Sequence, residues 1–225
     1  MKNQQITGHN KKSVVLTLIG IVIMILLTIT KVVPSSTIAG YSVFVGIAFF
    51  FITETVDKTR GSESGLRFNT IAVDLKKPGV IIWMLLPSAS GIATLVVGNM
   101  IFSGEFVAHV MERTSSILSF DKIALLMGQV IIAAFGEEIA YRGFFFGKSS
   151  KIFPFWVCAV LSSVAFAAGH IAVGNIGIVT YDIAAVFIDS LIFSVIYQKS
   201  ENCVISTFSH ILGNAISLVA VFVFF

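Results

Sequence analysis

Long apolar runs separated by short polar segments make up most of the chain. About seven runs can be distinguished, at roughly 13–33, 37–53, 79–102, 122–146, 153–171, 176–197 and 202–225. A transmembrane helix needs about 20 apolar residues, and backbone exposed to lipid must satisfy its own hydrogen bonds, which favours helices. The pattern therefore predicts an all-α fold, a polytopic transmembrane helical bundle of about seven spans, with six to eight as the range.

The polar segments between the runs predict loops and one further helix. Pro34 separates the first two runs, a polar stretch fills 54–77, and the mixed segment 104–120 predicts a short interfacial helix. The first run lacks a small-residue cleavage site, which favours a retained helix over a cleaved signal peptide.

Composition supports membrane insertion and narrows the classes of partner. The chain of 225 residues is 56% hydrophobic and only 12% charged, whereas soluble domains have about 25% charged residues. The net charge is +3, and the lysines and arginines do not form a basic run with interleaved aromatics, so no nucleic-acid partner is predicted. Cys158 and Cys203 lie in or beside apolar runs, which indicates small buried hydrophobes rather than a disulfide or a metal pair.

The basic residues predict the orientation of the chain. They cluster at the N-terminus, in the second loop and after the fourth run: Lys2, Lys11, Lys12, Lys58, Arg60, Arg67, Lys76, Lys77, Lys148 and Lys151. If the spans alternate, these residues share one side, which the positive-inside rule assigns to the cytoplasm. The N-terminus is therefore predicted to be cytoplasmic. Seven spans place the C-terminus outside, and an eighth or a broken span would reverse it.

Two adjacent acids and a cation in the fourth run are the first candidate for chemistry. Residues i and i+4 of a helix share a face, so Glu138 can pair with Arg142 while Glu137 points elsewhere. A pair alone can fix helix packing, but the surplus acid Glu137 is unexplained by that reading. An ionisable residue inside the membrane is by default a functional-site hypothesis.

Two later runs carry imidazole and amide side chains at the same spacing. Phe166 and His170 share one face in the fifth run, and His210 and Asn214 share one in the seventh. Each histidine alone is also explained by a hydrogen bond between helices. His210 and Asn214 could instead direct two donors at one point, as an oxyanion site requires.

Two further acids lie in the sixth run. Asp182 and Asp189 are seven residues apart, on similar faces, and neither has a cation in its own run. Helix packing or the wall of a polar cavity accounts for both.

Taken together, the clusters predict a wet pocket within the membrane. A carboxylate and an imidazole can activate water by general base catalysis, or they can hold a divalent metal, such as zinc, that does so. The tentative ligands for such a metal are Glu137, His170 and His210. An amide and a second imidazole beside the same water equip the site for hydrolysis of an acyl bond, with a peptide as the expected substrate.

At these residues the chain resembles the CPBP intramembrane protease family, which includes the type II CAAX prenyl endopeptidases and the bacterial Abi proteins. The family motifs Glu-Glu-xxx-Arg, Phe-xxx-His and His-xxx-Asn stand in order at 137–142, 166–170 and 210–214. The resemblance covers roughly residues 120–220, and it suggests N-terminal helices and loops in 1–120 and a catalytic transmembrane core in 121–225, within one integral membrane domain.

The resemblance also implies roles for the motif residues. Glu137 is expected to activate water with help from His170, and Glu138 and Arg142 to hold the geometry of the site. His210 and Asn214 are expected to stabilise the oxyanion, with Phe166 as a packing residue. Metal-bound water and water activated directly by glutamate use the same side chains, so both mechanisms stay open.

The implied function is that of an endopeptidase acting on a membrane-associated peptide in a bacterial plasma membrane, in bacteriocin self-immunity or in peptide processing. From the depths of the motifs in their runs we expect the site to open toward the cytoplasm. Two alternatives remain: a non-catalytic membrane scaffold or immunity-binding protein, and a small transporter that uses the same acids and histidines as a proton relay.

Overall fold

The computed structural model describes residues 10–29, 39–61, 63–115, 118–120 and 122–224. Those residues form helices and no strand. The helices are α1 (Lys11–Ile29), α2 (Ala39–Asp57), α3 (Ile71–Asp74), α4 (Val80–Ile101), α5 (Glu105–Ser115), α6 (Ile123–Glu137), a π-helix (Glu138–Phe146), α7 (Gly147–Ser149), α8 (Phe155–Ala168), α9 (Ile176–Ser200) and α10 (Cys203–Phe224). Pro34 and Lys2 lie outside the described residues.

Six helices in this part of the chain are long and apolar enough to cross a membrane. They comprise α1, α2, α4, α9, α10 and a continuous element of 27 residues that joins α6, the π-helix and α7. The predicted all-α bundle of about six to eight spans is confirmed. The helix predicted within 104–120 is also present, as α5.

The fifth apolar run differs from its prediction as a span over 153–171. It folds as α8, a helix of 14 residues, which is about 21 Å long at 1.5 Å per residue and too short to cross the hydrocarbon core alone. Pro154 precedes its first residue. The side chain of Asn175 accepts a hydrogen bond from the Gly177 backbone N–H and caps the next helix, so residues 169–175 form a loop.

The chain has two distinct ends, because successive long helices run in opposite directions. At the first end the side chain of Asn10 donates to the carbonyl of Val56. At the other end the rings of Phe120 and Phe222 make an edge contact, with their centroids 6.4 Å apart. We call the first the basic end, with loop 58–79, residues 150–154 and the turn 201–202. We call the second the α5 end, with α5, residues 118–120 and loop 169–175.

Close backbone packing holds the π-helix against α2. At Gly46 of α2 an added Cβ atom would come within 2.6 Å of the Ala140 Cβ atom. Ser42, one turn earlier, shares a hydrogen bond of 3.2 Å with the hydroxyl of Tyr141. The small residue allows the helices to approach, and the hydroxyl pair fixes their relative position, since polar contacts between membrane helices are typically worth about 0.6 kcal/mol or more.

A hydrogen-bonded network closes the basic end. The side chain of Asn202 donates to the carbonyl of Arg67 at 2.7 Å and to Oδ2 of Asp74 at 2.9 Å. Asp74 also pairs with Lys77 at 3.0 Å. Nearby, Lys148 is buried and pairs with Glu54. This network ties loop 58–79 to the turn between α9 and α10.

The cysteine prediction is confirmed. Cys158 and Cys203 are both buried and both free.

Candidate active site

The two acids of the first motif stand where the helix geometry changes. Glu137 is the last residue of α6 and Glu138 the first of the π-helix, and all nine π-helical residues are buried. A π-helix makes hydrogen bonds from i to i+5, and such segments occur often at functional sites. The wider turn sets the directions in which Glu137, Glu138 and Arg142 project.

Arg142 and Glu138 form the predicted ion pair at the buried centre of the bundle. Nη1 of Arg142 lies 3.0 Å from Oε1 of Glu138, and the two side chains are 1% and 0% exposed. Nη2 of Arg142 donates to the Ser190 hydroxyl at 2.7 Å and to its carbonyl at 3.1 Å. The pair therefore joins the π-helix to α9, and it is the arrangement that buried charges require, because a lone charge there is costly.

Two phenyl rings enclose the guanidinium. Cζ of Arg142 lies 4.6 Å from the centroid of Phe166 and 5.1 Å from that of Phe193. Contacts of this kind are worth about 2 kcal/mol when desolvated. Phe166 is thus more than the packing residue that the resemblance implied, since its ring supports the cation that holds Glu138.

His210 lies between the two glutamates. Its Nδ1 atom is 3.0 Å from Oε1 of Glu138, and its Nε2 atom is 3.7 Å from Oε2 of Glu137. The ring stacks on Phe193, with centroids 4.5 Å apart. An ionised carboxylate only accepts hydrogen bonds, so the Nδ1–H group donates to Glu138 and Nε2 faces Glu137.

The residues of the site differ in exposure. The Glu137 side chain is 22% exposed, against 0% for Glu138. Asn214, one helical turn beyond His210 on α10, is exposed. Glu137 is therefore the more exposed acid of the pair, and its role in chemistry stays a prediction.

His170 lies two residues after the end of α8, at the start of loop 169–175. Its Nδ1 atom is 2.8 Å from the carbonyl oxygen of Phe166. A carbonyl only accepts, so Nδ1 carries the hydrogen and Nε2 of the neutral ring keeps its lone pair. The ring lies 4.6 Å from that of Phe166, which in turn lies 6.2 Å from His210, so Phe166 stands between the two histidines.

The tentative metal ligands are not arranged as a metal site. The described part of the chain contains no group of three or more His, Cys, Asp or Glu side chains that could hold a metal ion. Glu137 and His210 approach each other, but His170 makes no ion pair with a carboxylate in that part of the chain. The metal stays a prediction, and no step proposed below passes through one.

The two aspartates of α9 have different surroundings. Asp182 is 3% exposed. Its Oδ1 atom accepts a hydrogen bond from Nη2 of Arg113 at 3.3 Å, and its Oδ2 atom lies 2.9 Å from Nε of Arg113 and 3.4 Å from Nε2 of His109. Both partners come from α5, so the cation absent from the sixth run is supplied by another helix. Oδ1 of Asp189, in contrast, is buried with no hydrogen-bond partner among the described residues.

Sequence reasoning missed the supporting residues Ser190, Phe193 and Arg113. A serine in an apolar run, and a single arginine in the segment 103–121, were weak signals for two of them. For Phe193 there was no signal, because a phenylalanine in a transmembrane run fits lipid, core and site equally well.

The site is more accessible from the α5 end than from the basic end. Along α6 and the π-helix, side-chain exposure falls from Glu137 to Arg142, which is the direction toward the basic end. Ser190 of α9, which bonds to Arg142, is only 1% exposed. Burial therefore favours an opening toward the α5 end, whereas the sequence predicted one toward the basic end.

Comparison with known proteins covers the part of the chain that carries the site. The family described as Type II CAAX prenyl endopeptidase Rce1-like matches residues 119–216, a stretch that contains all three motifs and somewhat less than half of the chain. No curated protein and no solved structure gave a match. Residues 119–216 of this chain are thus similar to the Rce1-like type II CAAX prenyl endopeptidases.

Proposed function

We propose that the protein is an intramembrane endopeptidase in which Glu137 activates water for attack on a peptide bond. The match of residues 119–216 to the Rce1-like family supports an intramembrane protease. The observation that carries the finer assignment is the position of His210, with one ring nitrogen on buried Glu138 and the other facing accessible Glu137.

The first step of the proposed reaction uses Glu137 as general base. A water beside Oε2 of Glu137 gives a proton to the carboxylate while its oxygen bonds to the carbonyl carbon of the substrate. The C=O π bond breaks and its electron pair moves to the oxygen, which becomes an oxyanion. General base catalysis of this kind contributes about 10² to 10⁴ in rate.

The second element is stabilisation of the oxyanion. With Nδ1–H held by Glu138, Nε2 of His210 faces Glu137, and when this nitrogen carries a hydrogen it can donate to the oxyanion formed beside Glu137. Asn214 is one turn closer to the α5 end and offers an amide donor. Two such donors match the requirement of an oxyanion site, where each is worth about 3 kcal/mol.

Collapse of the tetrahedral intermediate completes the reaction. A lone pair of the oxyanion re-forms the C=O bond as the C–N bond breaks, and the C–N electron pair goes to the leaving nitrogen. The proton held by Glu137 passes to that nitrogen, which gives the amine and a carboxylic acid. Neutral His170, whose Nε2 lone pair is free of the Phe166 carbonyl, assists Glu137 by accepting the proton that the new carboxylic acid releases.

The proposed substrate is a membrane-associated peptide or protein in a bacterial plasma membrane, processed as part of peptide maturation or bacteriocin self-immunity. The support is the depth of the site, since Glu137 and His210 lie within helices long enough to cross a membrane. A water-soluble chain would have to desolvate its backbone to reach them, which is costly.

The test is peptide cleavage by purified protein in lipid nanodiscs, comparing wild type with Glu137→Gln. The exchange keeps the size of the side chain and removes the base, so we expect at least a 100-fold loss of kcat with an unchanged melting temperature. Glu105→Gln is the matched control, because Glu105 is an exposed acid on α5 and should keep wild-type rates. Equal cleavage by wild type and Glu137→Gln would refute the assignment of the base.

A further inference from the structure

Asp189 of α9 carries a carboxylate near the site that has no cationic partner among the described residues. Its Oδ1 atom is buried and makes no hydrogen bond to them, and Ser90 of α4, a hydrogen-bonding neighbour of this carboxylate, leaves Oδ1 without a partner. Oε2 of Glu138 also lacks a hydrogen bond, but that carboxylate is paired through Oε1 with Arg142 and His210. A buried acceptor left unsatisfied costs about 1–3 kcal/mol, and more when it is charged, so a native protein rarely keeps one without a use.

The helical spacing places Asp189 one turn from Phe193, a residue that packs on the proposed reaction centre. Phe193 follows it by four residues and therefore lies on the same face of α9, and the Phe193 ring stacks on His210. Asp189 is thus one turn, about 6 Å, closer to the α5 end than the ring that touches His210. The next residue, Ser190, bonds to Arg142, which fixes the rotation of α9 at this point.

Asp182 on the same face shows what a purely structural acid looks like here. It is seven residues from Asp189, and α5 supplies it with the guanidinium of Arg113. No described residue forms such an ion pair with Asp189. Asp189 lies on the α5-end side of Phe193, the side toward which exposure rises at Glu137.

We propose that Asp189 binds the substrate, its free carboxylate oxygen accepting a hydrogen bond from a backbone N–H of the peptide held beside Glu137 and His210. This inference rests on the proposed protease function. A peptide in a site within the membrane loses the water that satisfied its N–H groups, so an acceptor at this point both binds the chain and sets its register against Glu137.

The first experiment measures the kinetics of Asp189→Ala and Asp189→Asn on the peptide that wild type cleaves. Loss of a charge-assisted hydrogen bond predicts about a tenfold or larger rise in KM for Asp189→Ala, with kcat within about threefold of wild type. Asp189→Asn keeps a neutral acceptor of the same shape, so its KM should rise less. Glu105→Ala is the matched control for loss of an exposed negative charge and should leave KM unchanged.

The second experiment identifies the N–H group. Each amide of the substrate is replaced in turn by an ester, which removes one N–H and keeps the chain length. One replacement should raise KM for wild type about tenfold and have no further effect on Asp189→Ala, because the partner is already absent in that variant. This non-additivity separates a direct contact from a change in the shape of the site.

The possible results keep this inference distinct from the proposed function. An unchanged KM in both Asp189 variants, or an ester effect that simply adds to the mutation, overturns the role of Asp189 while wild-type cleavage and its loss in Glu137→Gln stand. If wild type cleaves no peptide, the protease function itself fails. A lowered kcat with unchanged KM would also count against substrate binding by Asp189.

Discussion

The two ends of the bundle satisfy their polar groups in opposite ways. At the basic end Asp74 accepts hydrogen bonds from Thr70 and Asn202 and pairs with Lys77. Toward the α5 end Glu137 and Asn214 are accessible and an oxygen of Asp189 lacks a partner. Groups that bond only to the protein contribute to stability, whereas groups left accessible are available to a substrate. The comparison predicts that substitutions at the two ends affect different measurements.

The largest effect should come from Arg142→Met, at the closed centre between the ends. Removing the guanidinium leaves Glu138 buried beside His210 without its paired cation, and breaking a buried pair in this way costs about 3–5 kcal/mol. Thermal unfolding in detergent micelles should show a strongly lowered melting temperature. The double variant Glu138→Gln with Arg142→Met removes both charges and should recover part of the loss. If Arg142→Met alone were as stable as wild type, the proposed division between stabilising and accessible polar groups would be wrong.

Asn214→Ala should show the reverse behaviour at the accessible side. The side chain is exposed, so stability should change by less than about 0.5 kcal/mol. Because Asn214 is the proposed oxyanion donor, removing its amide should lower kcat about 100-fold, which corresponds to about 2.7 kcal/mol. The check is a cleavage rate measured beside a melting temperature on the same preparation. An unchanged kcat removes Asn214 from the mechanism and leaves His210 as the sole proposed donor.

The smallest effect is a pH dependence of stability at the basic end. Burial raises the pKa of Asp74, yet the hydrogen bonds it accepts, first from Thr70 and Asn202, outweigh burial and lower the pKa from 3.8 to about 2. Because the folded-state pKa lies below the unfolded one, this stabilisation is present above about pH 4 and is lost as pH falls toward 2. The shift corresponds to about 2 kcal/mol.

Asp74→Asn tests that dependence against a matched background. The variant has no carboxylate to protonate at this position, so acid should destabilise it less than wild type. The difference in free energy of unfolding between wild type and variant should therefore shrink as the pH falls from 5 to 2. If that difference in free energy did not change with pH, the ionised carboxylate of Asp74 would not be what stabilises the network. The cleavage rate at neutral pH should not depend on this substitution once folded fractions are matched.

Sequence reasoning reached the bundle and the motifs because both depend on local patterns. Apolar length predicts a span, and a spacing of four residues predicts that Glu138 faces Arg142. The length of α8 was wrong because apolar composition continues through residues 169–175, while Pro154 and the cap at Asn175 decide where the helices begin.

Long-range partners could not be read from the chain. The bond from His210 to Glu138 spans 72 positions, and that from Arg113 to Asp182 spans 69. Such contacts depend on how the helices rotate and pack. The direction in which the site opens could not be predicted for the same reason, since the depth of a residue along an apolar run does not show which end of the bundle a network closes.

The π-helix has a consequence for comparing and redesigning this chain. A segment bonded from i to i+5 holds an extra residue in each turn, so the motif Glu-Glu-xxx-Arg does not have the angular relations of the same letters on an ordinary α-helix. Transplanting Glu137, Glu138 and Arg142 into a regular helical scaffold would turn the guanidinium away from Ser190. An engineered site, or an alignment scored by motif letters alone, therefore has to carry all of Glu138–Phe146 with it.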